Sequence, residues 1–179
     1  MRILRIEHEG FLKKHSNVVT RHAIRALSVD QGKLLMVLSS RVGDYKFAGG
    51  AAHDGETASQ TLFREVLEET GYHINMIGGL IFRTEEYRND SKNNDTCFVM
   101  ISDYYFCSVH PRVSAQKLDA YEAELGFLPV WISAEEALQI NNEIFESKGI
   151  ENPPWLLREI KILEALCETD CPSHLLLKP

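Results

Sequence analysis

Runs of apolar residues separated by short polar turns mark the first part of the chain as rich in β-structure. Ala23 to Val29 and Leu34 to Leu38 flank the polar segment 30–33, and this pattern predicts a β-hairpin. Tyr45 to Ala48 predicts a short third strand that leads into paired glycines. We therefore expect a sheet to begin near residue 20.

Extended patterns continue beyond residue 71. Ile74 to Tyr87 is predicted to be extended but broken at Gly78 and Gly79, and Thr96 to Val109 is rich in β-branched and aromatic residues. The polar segment 89–95 between them predicts a turn. Gly126 to Ile132 predicts a further strand, so strands recur along most of the chain.

Helical patterns are interspersed with these strands. Ser133 followed by Glu136 is typical of a capped helix start, and a last helix is predicted from Trp155 to Cys167 after two prolines. This order favours an α/β (α+β) fold with a mixed sheet between helices, as one domain over residues 1–179. The residues spaced as a buried face of the last helix are Leu156, Ile160, Leu163 and Leu166.

A further short helix is predicted between the paired glycines and Gly71, which supplies a C-terminal stop. At about 100° per residue, its apolar residues form one arc and its glutamates fall outside that arc. We expect a helix that is packed on one side and acidic on another. The residues of the apolar arc are Ala58, Leu62, Phe63, Val66 and Leu67.

Three carboxylates, Glu65, Glu68 and Glu69, crowd the end of this helix. They repel one another and oppose the helix dipole, each effect costing roughly a few tenths of a kcal/mol. Only Arg64 is near in sequence to offset them. An ordinary solvated glutamate face is the alternative, but the glycines ahead of the helix and its packed opposite side favour a bound divalent cation such as Mg²⁺.

The segment from Gly50 to Tyr72 resembles the signature box of the Nudix hydrolases. A chance match of seven fixed identities is expected in on the order of one in a million chains of this length. Tyr72 replaces an aliphatic residue of the pattern, and Ala48 stands where a proline is common, which puts the geometry of the loop in question. The matching residues are Gly50, Glu56, Arg64, Glu65, Val66, Glu68, Glu69 and Gly71.

The resemblance implies an α/β/α sandwich over about residues 20 to 165 and hydrolysis of a pyrophosphate linkage with Mg²⁺, for which Mn²⁺ is a substitute. It implies Glu68 and Glu69 as metal ligands and Glu65 as a further ligand or the general base, with Arg64 orienting a glutamate. Glu56 has a structural role in this interpretation. The carbonyl of Gly49 or Gly50 completes the metal shell.

The family often adds a downstream carboxylate before a strand that contains a tryptophan. The candidates are Glu122 and Glu124, and we favour Glu124 from its distance to Trp131. Arginines that pair with phosphate and aromatic rings that stack on bases supply the candidate substrate contacts. These are Arg41, Tyr45, Arg83, Tyr87 and Arg88.

Two functions remain open at this stage, a hydrolase and a non-catalytic nucleotide-sensing module. The intact acidic set favours the hydrolase. Its substrate is open among nucleoside triphosphates, ADP-ribose, dinucleoside polyphosphates and nucleotide sugars. The absence of a proline between Arg83 and Asp95 lowers the ADP-ribose option slightly, whereas Tyr87 is weak support for a dinucleoside polyphosphate.

The net charge of −7 argues against a polynucleotide partner but is compatible with a small-molecule nucleotide. No signal peptide or membrane span is visible, so we expect a cytoplasmic protein with reduced thiols; a homodimer is compatible with the sequence. Cys167, Cys171 and His174 fall short of a closed zinc site in number and spacing.

Overall fold

The computed structural model describes residues 1–8, 10–11, 14–90, 93, 95–148 and 152–168. Within this part of the chain a mixed sheet of eight strands is packed with four α-helices. The elements are β1 (Arg2–Glu7), β2 (Asn17–Asp30), β3 (Lys33–Ser39), β4 (Tyr45–Lys46), β5 (Gly49–Ala51), α1 (Ala58–Thr70), β6 (Tyr72–Asn89), β7 (Thr96–Val113), α2 (Ala120–Leu125), β8 (Phe127–Ile132), α3 (Ala134–Lys148) and α4 (Leu156–Glu168).

The sheet has the strand order β1-β6-β7-β2-β3-β4, with β5 paired to β2 and β8 paired to β3. The β1–β6 and β2–β7 pairs are parallel, and the other pairs are antiparallel. The predicted mixed sheet is therefore confirmed. The predicted hairpin is confirmed as well, since β2 and β3 pair through Val29–Leu34 and Asp30–Lys33 around a turn in which Gln31 and Gly32 both have positive φ.

Three features of the fold differ from the sequence-based expectation. The predicted break at Gly78 and Gly79 is wrong, because β6 continues through both glycines and absorbs them in a register shift against β7. The sequence pattern did not predict β1, which is an edge strand whose residues are mostly exposed and lack strong apolar alternation. It also did not predict α2, which is only 6 residues long.

Apolar side chains form two core clusters on the two faces of the sheet. Alternation along β2 explains the division, since Ile24 and Ala26 belong to the cluster beneath α1 whereas Leu27 belongs to the cluster beneath α4. The predicted buried face of the last helix is confirmed, because Leu156, Ile160, Leu163 and Leu166 are all buried. Helices therefore cover both faces of the sheet.

Helix α1 begins at a capping box formed by Thr57 and Gln60 and ends at Gly71, whose left-handed conformation confirms the predicted stop. Leu62 and Val66 of the predicted apolar arc are buried, but the buried face differs from the prediction in two respects. Phe63 is 49% exposed, whereas Glu65 and Glu69 are 9% and 1% exposed. Two of the three glutamates therefore point into the protein, whereas Glu68 is partly exposed.

Candidate active site

The glycine loop before α1 comes close to β2 and to the glutamates of the helix. Gly49 has φ +139°, and a Cβ atom there would lie 2.2 Å from the carbonyl oxygen of Ile24. A Cβ atom on Gly50 would lie 2.5 Å from Oε1 of Glu65. Only glycine fits at these positions without displacement, and Gly50 brings its backbone directly against a predicted catalytic carboxylate.

Glu69 is held by two donors at the centre of this arrangement. The Lys46 ammonium lies 2.6 Å from Oε1, and the Gly49 amide donates to Oε2 at 2.9 Å. The sequence-based expectation that only Arg64 offsets the glutamates is therefore wrong, because β4 supplies a second cation. Lys46 also lies 4.3 Å from the centre of the Phe127 ring, which fixes the ammonium group inside the site.

Arg64 joins the other carboxylates of the box. Its guanidinium binds both oxygens of Glu56, at 2.7 and 2.8 Å, and reaches Glu65 at 2.6 Å and Glu68 at 3.3 Å. The paired hydrogen bonds from Arg64 lower the pKa of Glu56 to about 2, and they raise the pKa of Arg64. Glu56 thereby ties the loop to the helix and fixes the guanidinium that contacts Glu65.

Burial raises the pKa of Glu65, and the neighbouring carboxylates of Glu69 and Glu68 add to this effect while Arg64 opposes it. Arg64 donates to Oε1 of Glu65, and no described residue donates a hydrogen bond to Oε2. Glu65 therefore has one restrained oxygen and one oxygen that is available to another partner.

The downstream carboxylate that joins this group is Glu122. Carboxylate oxygens of Glu65, Glu69 and Glu122 all lie within 4.8 Å of one another. Our preference for Glu124 as a metal ligand lacks geometric support, since its side chain is 70% exposed and lies 4.0 Å from Arg41. The sequence carried a usable signal, because Asp119 and Glu122 form the capping box of α2 and this places Glu122 in the first helical turn.

The residues of this acidic cluster fit a divalent cation such as Mg²⁺. The cluster, defined as Glu65, Glu68, Glu69 and Glu122, offers only carboxylate oxygens, which are the donors that hard cations prefer. Burial raises the pKa of Glu122, and the charge of Glu69 adds to this effect, while the hydrogen bond from the Asp119 amide opposes it. The ionised carboxylates therefore repel one another, and a bound cation would offset this repulsion.

The predicted substrate contacts do not converge on one surface. Arg83 is taken up by a bidentate ion pair with Asp103, at 2.6 and 2.7 Å. Arg5 lies over the ring of Tyr87, 4.4 Å from its centre. The remaining contacts are also separate: Arg41 is exposed beside Glu124, the backbone of Tyr45 is bound by Asn141, and Arg88 lies over the ring of Phe98.

Two departures from the box pattern have structural explanations. Tyr72 packs edge-on against Trp131, and its hydroxyl accepts a hydrogen bond from the indole nitrogen at 3.0 Å. Ala48 is buried beneath α1, and its carbonyl accepts a hydrogen bond from the Ala26 amide at 2.9 Å. Of the three residues that fell short of a zinc site in the sequence, Cys167 is a free exposed thiol, while Cys171 and His174 lie outside the described residues.

Comparison with known proteins places this geometry in a family. The NUDIX domain model matches residues 19–152. A protein from Xenopus laevis, nucleoside diphosphate-linked moiety X motif 6, is 34% identical over 87 residues, which cover 48% of this chain but only 37% of that protein.

Solved structures show the same fold. The E. coli ORF135 protein superposes with a TM-score of 0.55 at 22% identity, over 87% of this chain and 96% of that one. A NUDIX hydrolase from Nitrosomonas europaea superposes with a TM-score of 0.54 at 20% identity, over 82% of this chain and 90% of that one. No described helix is long and apolar enough to cross a membrane. Because the family model matches most of the chain and the box residues lie together in the structure, the chain belongs to the Nudix hydrolase family.

Proposed function

We propose that this protein is a Mg²⁺-dependent pyrophosphohydrolase that cleaves a nucleoside diphosphate linked to another group. The observation that carries the proposal is the approach of the Glu65, Glu69 and Glu122 carboxylates to within 4.8 Å beside the glycine loop. The name of the Xenopus relative agrees with a substrate of this class. Mn²⁺ is the expected substitute for Mg²⁺.

In this proposal Glu69 and Glu122 hold the metal, with Glu68 at the edge of the cluster as a further ligand, and Glu65 beside them is either another ligand or the general base. When bound, the metal would neutralise phosphate charge and lower the pKa of a bound water. Gly50 lines this space because its backbone lies against Glu65. Glu124 is assigned no ligand role, since it lies on the exposed side of α2.

Glu65 is the residue best suited to accept a proton from the attacking water. A raised pKa brings a carboxylate closer to the range in which it accepts a proton during reaction. Its Oε1 is held by Arg64, which leaves Oε2 to take the proton. Arg64 is in turn oriented by Glu56, so it acts as a positioning residue for the base.

Turnover of a nucleotide panel by the purified protein tests this proposal. The panel contains nucleoside triphosphates, ADP-ribose, dinucleoside polyphosphates and nucleotide sugars, each assayed with Mg²⁺ and with excess EDTA. We expect turnover of at least one substrate class with Mg²⁺ and none with EDTA. Full activity in EDTA by metal-free protein would overturn the metal dependence, and nucleotide binding without turnover would favour the sensing module.

Substitution of one ligand tests the assignment of residues. Glu69→Gln retains an acceptor for the Gly49 amide but removes the charge, so we expect it to lower kcat/KM by at least about a hundredfold and to weaken Mn²⁺ binding. Glu124→Gln is the matched control on the exposed side of α2 and should retain both properties. Unchanged turnover by Glu69→Gln would show that the cluster is not the metal site.

A further inference from the structure

A small cavity beneath α4 is lined by an excess of arginines. It has a volume of about 120 Å³ and lies between β2, β6, β7 and the start of α4. We call it the Arg25 cavity. Its lining includes Arg25, Glu86, Arg88, Met100, Trp155 and Arg158.

Arg25 is a buried cation that has no carboxylate partner among the residues that the structure describes. It is 7% exposed, and no described carboxylate lies within 4.0 Å of its guanidinium. Its Nη1 donates to the carbonyl oxygen of Gly49 at 2.9 Å and to that of Phe47 at 3.4 Å, whereas Nε has no hydrogen-bond partner. Burying a charge and leaving a donor unsatisfied are both costly, so an anion that fills the cavity would stabilise this arrangement.

The other charged residues leave the cavity with a positive balance. Arg158 pairs with Glu86 at 2.8 Å and with Glu159 at 2.8 Å. The second oxygen of Glu86 faces His8 at 3.3 Å, so both oxygens of the carboxylate in the cavity wall have partners. Arg88 lies 4.5 Å from the centre of the Phe98 ring, and no described carboxylate lies within 4.0 Å of it.

The cavity and the acidic cluster are joined through one residue. The Gly49 amide donates to Glu69 in the cluster, and the Gly49 carbonyl accepts from Arg25 in the cavity. The cavity lies on the α4 face of the sheet and the glutamates lie on the α1 face, so a substrate that occupies both sites must extend past the glycine loop. The volume is about four times the roughly 30 Å³ that a water molecule occupies, which suits a phosphoryl or carboxylate group rather than a whole nucleoside.

We propose that the Arg25 cavity binds an oxyanion group of the substrate, with Arg25 and Arg88 as its donors. The preferred substrates then carry an anionic group in addition to the pyrophosphate that is cleaved. This inference rests on the proposed function for its link to catalysis. Binding of an oxyanion by the cavity itself does not depend on turnover.

The first experiment measures binding without catalysis. Inorganic phosphate and acetate are titrated by calorimetry into metal-free protein, the wild type being compared with Arg25→Gln, Arg25→Lys and Arg88→Gln. We expect the wild type to bind one of these anions, Arg25→Gln and Arg88→Gln to bind it about tenfold or more weakly, and Arg25→Lys to recover part of the loss. Phosphate binding points to a phosphoryl group, and acetate binding points to a carboxylate.

Arg88→Gln keeps the inference testable if Arg25→Gln fails to fold, because Arg88 lies over the ring of Phe98, whereas Arg25 donates to the glycine loop. Arg112→Gln is the control, since Arg112 is exposed near the end of β7, does not line the cavity and should leave binding unchanged. No anion binding by the wild type, or equal binding by all variants, would overturn the inference. Reduced thermal stability of Arg25→Gln without any change in anion binding would assign Arg25 a structural role only.

The second experiment links the cavity to catalysis through matched substrates. NADPH and NADH share a pyrophosphate and differ by one phosphoryl group, whereas UDP-glucuronate and UDP-glucose differ by one carboxylate. We expect the wild type to favour one anionic member at least about tenfold in kcat/KM, and Arg88→Gln to lose that preference. Equal preferences in wild type and variant would overturn the inference. If all four substrates are inert, the anion titration decides alone, so failure of the proposed function remains distinguishable.

Discussion

Two buried glutamates bind the same short segment from opposite faces of the sheet, yet their surroundings differ. Glu69 on α1 accepts a hydrogen bond from the Gly49 amide, and Glu159 on α4 accepts one from the Phe47 amide at 3.3 Å. Glu159 is bound by Arg158 through Nε at 3.2 Å and Nη2 at 2.8 Å. Glu69 has Lys46, but it also lies close to Glu65 and Glu122.

This difference separates a structural ion pair from a site that is prepared for a cation. Around Glu159 two carboxylates share one arginine: Glu86 and Glu159 each lie 2.8 Å from Arg158, and the second oxygen of Glu86 lies 3.3 Å from His8. Around Glu69 several carboxylates share two cationic side chains, so repulsion remains. A buried carboxylate is therefore weak evidence for a metal site by itself, whereas several carboxylates that outnumber the neighbouring cations favour a bound cation.

The largest expected effect comes from removing the cation of the structural pair. Arg158→Met leaves Glu86 and Glu159 buried without their shared partner, so we expect a loss of about 3–5 kcal/mol in the free energy of unfolding. Urea denaturation measures it. Lys161→Met, an exposed substitution on the same helix, is the control. A loss below about 1 kcal/mol would show that Arg158 is dispensable and would remove the contrast with the acidic cluster.

A third buried carboxylate, Asp103, is paired with cations, and this pairing makes the stability of the fold depend on pH. Burial opposes ionisation of Asp103, but Arg83 and His22 outweigh it and hold its pKa below the usual value of 3.8. The stability from this pair is present above about pH 4 and is lost as the pH falls through the lowered pKa of the folded state. We expect Asp103→Asn to cost about 1–3 kcal/mol at pH 7 and the difference from wild type to shrink below pH 4.

Urea denaturation across pH 2.5 to 7 measures this change, with Asp54→Asn as an exposed control. A constant difference between wild type and Asp103→Asn at all pH values would contradict the electrostatic explanation. It would also show that Asp103 contributes by packing and hydrogen bonding without a contribution from its charge.

Replacing Lys46 tests whether the cation beside Glu69 competes with a metal, in contrast to Arg158, which is a structural partner of Glu159. If Lys46 competes with a metal for Glu69, Lys46→Met should strengthen Mn²⁺ binding about tenfold, a factor that corresponds to about 1.4 kcal/mol. Electron paramagnetic resonance of Mn²⁺ measures the affinity, and exposed Lys33→Met is the control. Weaker Mn²⁺ binding by Lys46→Met would show that Lys46 organises the ligands instead of competing for them.

Local patterns were sufficient to predict the box helix, the β2–β3 hairpin and the buried face of α4. Each depends on neighbours within a few residues, such as the capping pair Thr57 and Gln60 or the stop at Gly71. The edge strand β1 was missed because its partner, β6, is remote in sequence and supplies most of the reason for it to be extended. Tertiary context overrides local preference in such strands.

The sequence was sufficient to predict which residue types form the candidate site, but not which residues from other elements contact the glutamates of α1. The crowding of Glu65, Glu68 and Glu69 was visible in the sequence, whereas the contacts to Lys46 and Glu122 depend on how β4 and α2 meet α1. Distance along the chain from Trp131 favoured Glu124, but helix geometry turns Glu122 inward instead. The isolation of Arg25 from carboxylates is equally a property of the fold.

The smallest expected effect tests whether the acidic cluster trades stability for cation binding. Glu65→Gln with Glu68→Gln removes two of the crowded charges near the end of α1, so the free energy of unfolding of metal-free protein should rise by about 1 kcal/mol. The raised pKa of Glu65 agrees in sign, because the fold disfavours its ionised form. Mg²⁺ should stabilise the wild type through binding to the folded state but should not stabilise the double variant.

Thermal and urea unfolding of both proteins, each with and without Mg²⁺, measure these two changes together. Glu135→Gln with Glu136→Gln on α3 is the control, since it removes two glutamates from the first turn of another helix. That position favours negative charge, so the control should lose a few tenths of a kcal/mol and keep the response to Mg²⁺. A double variant of α1 that still gains stability from Mg²⁺ as the wild type does would show that the cation binds elsewhere, and the contrast between Glu69 and Glu159 would then need another cause.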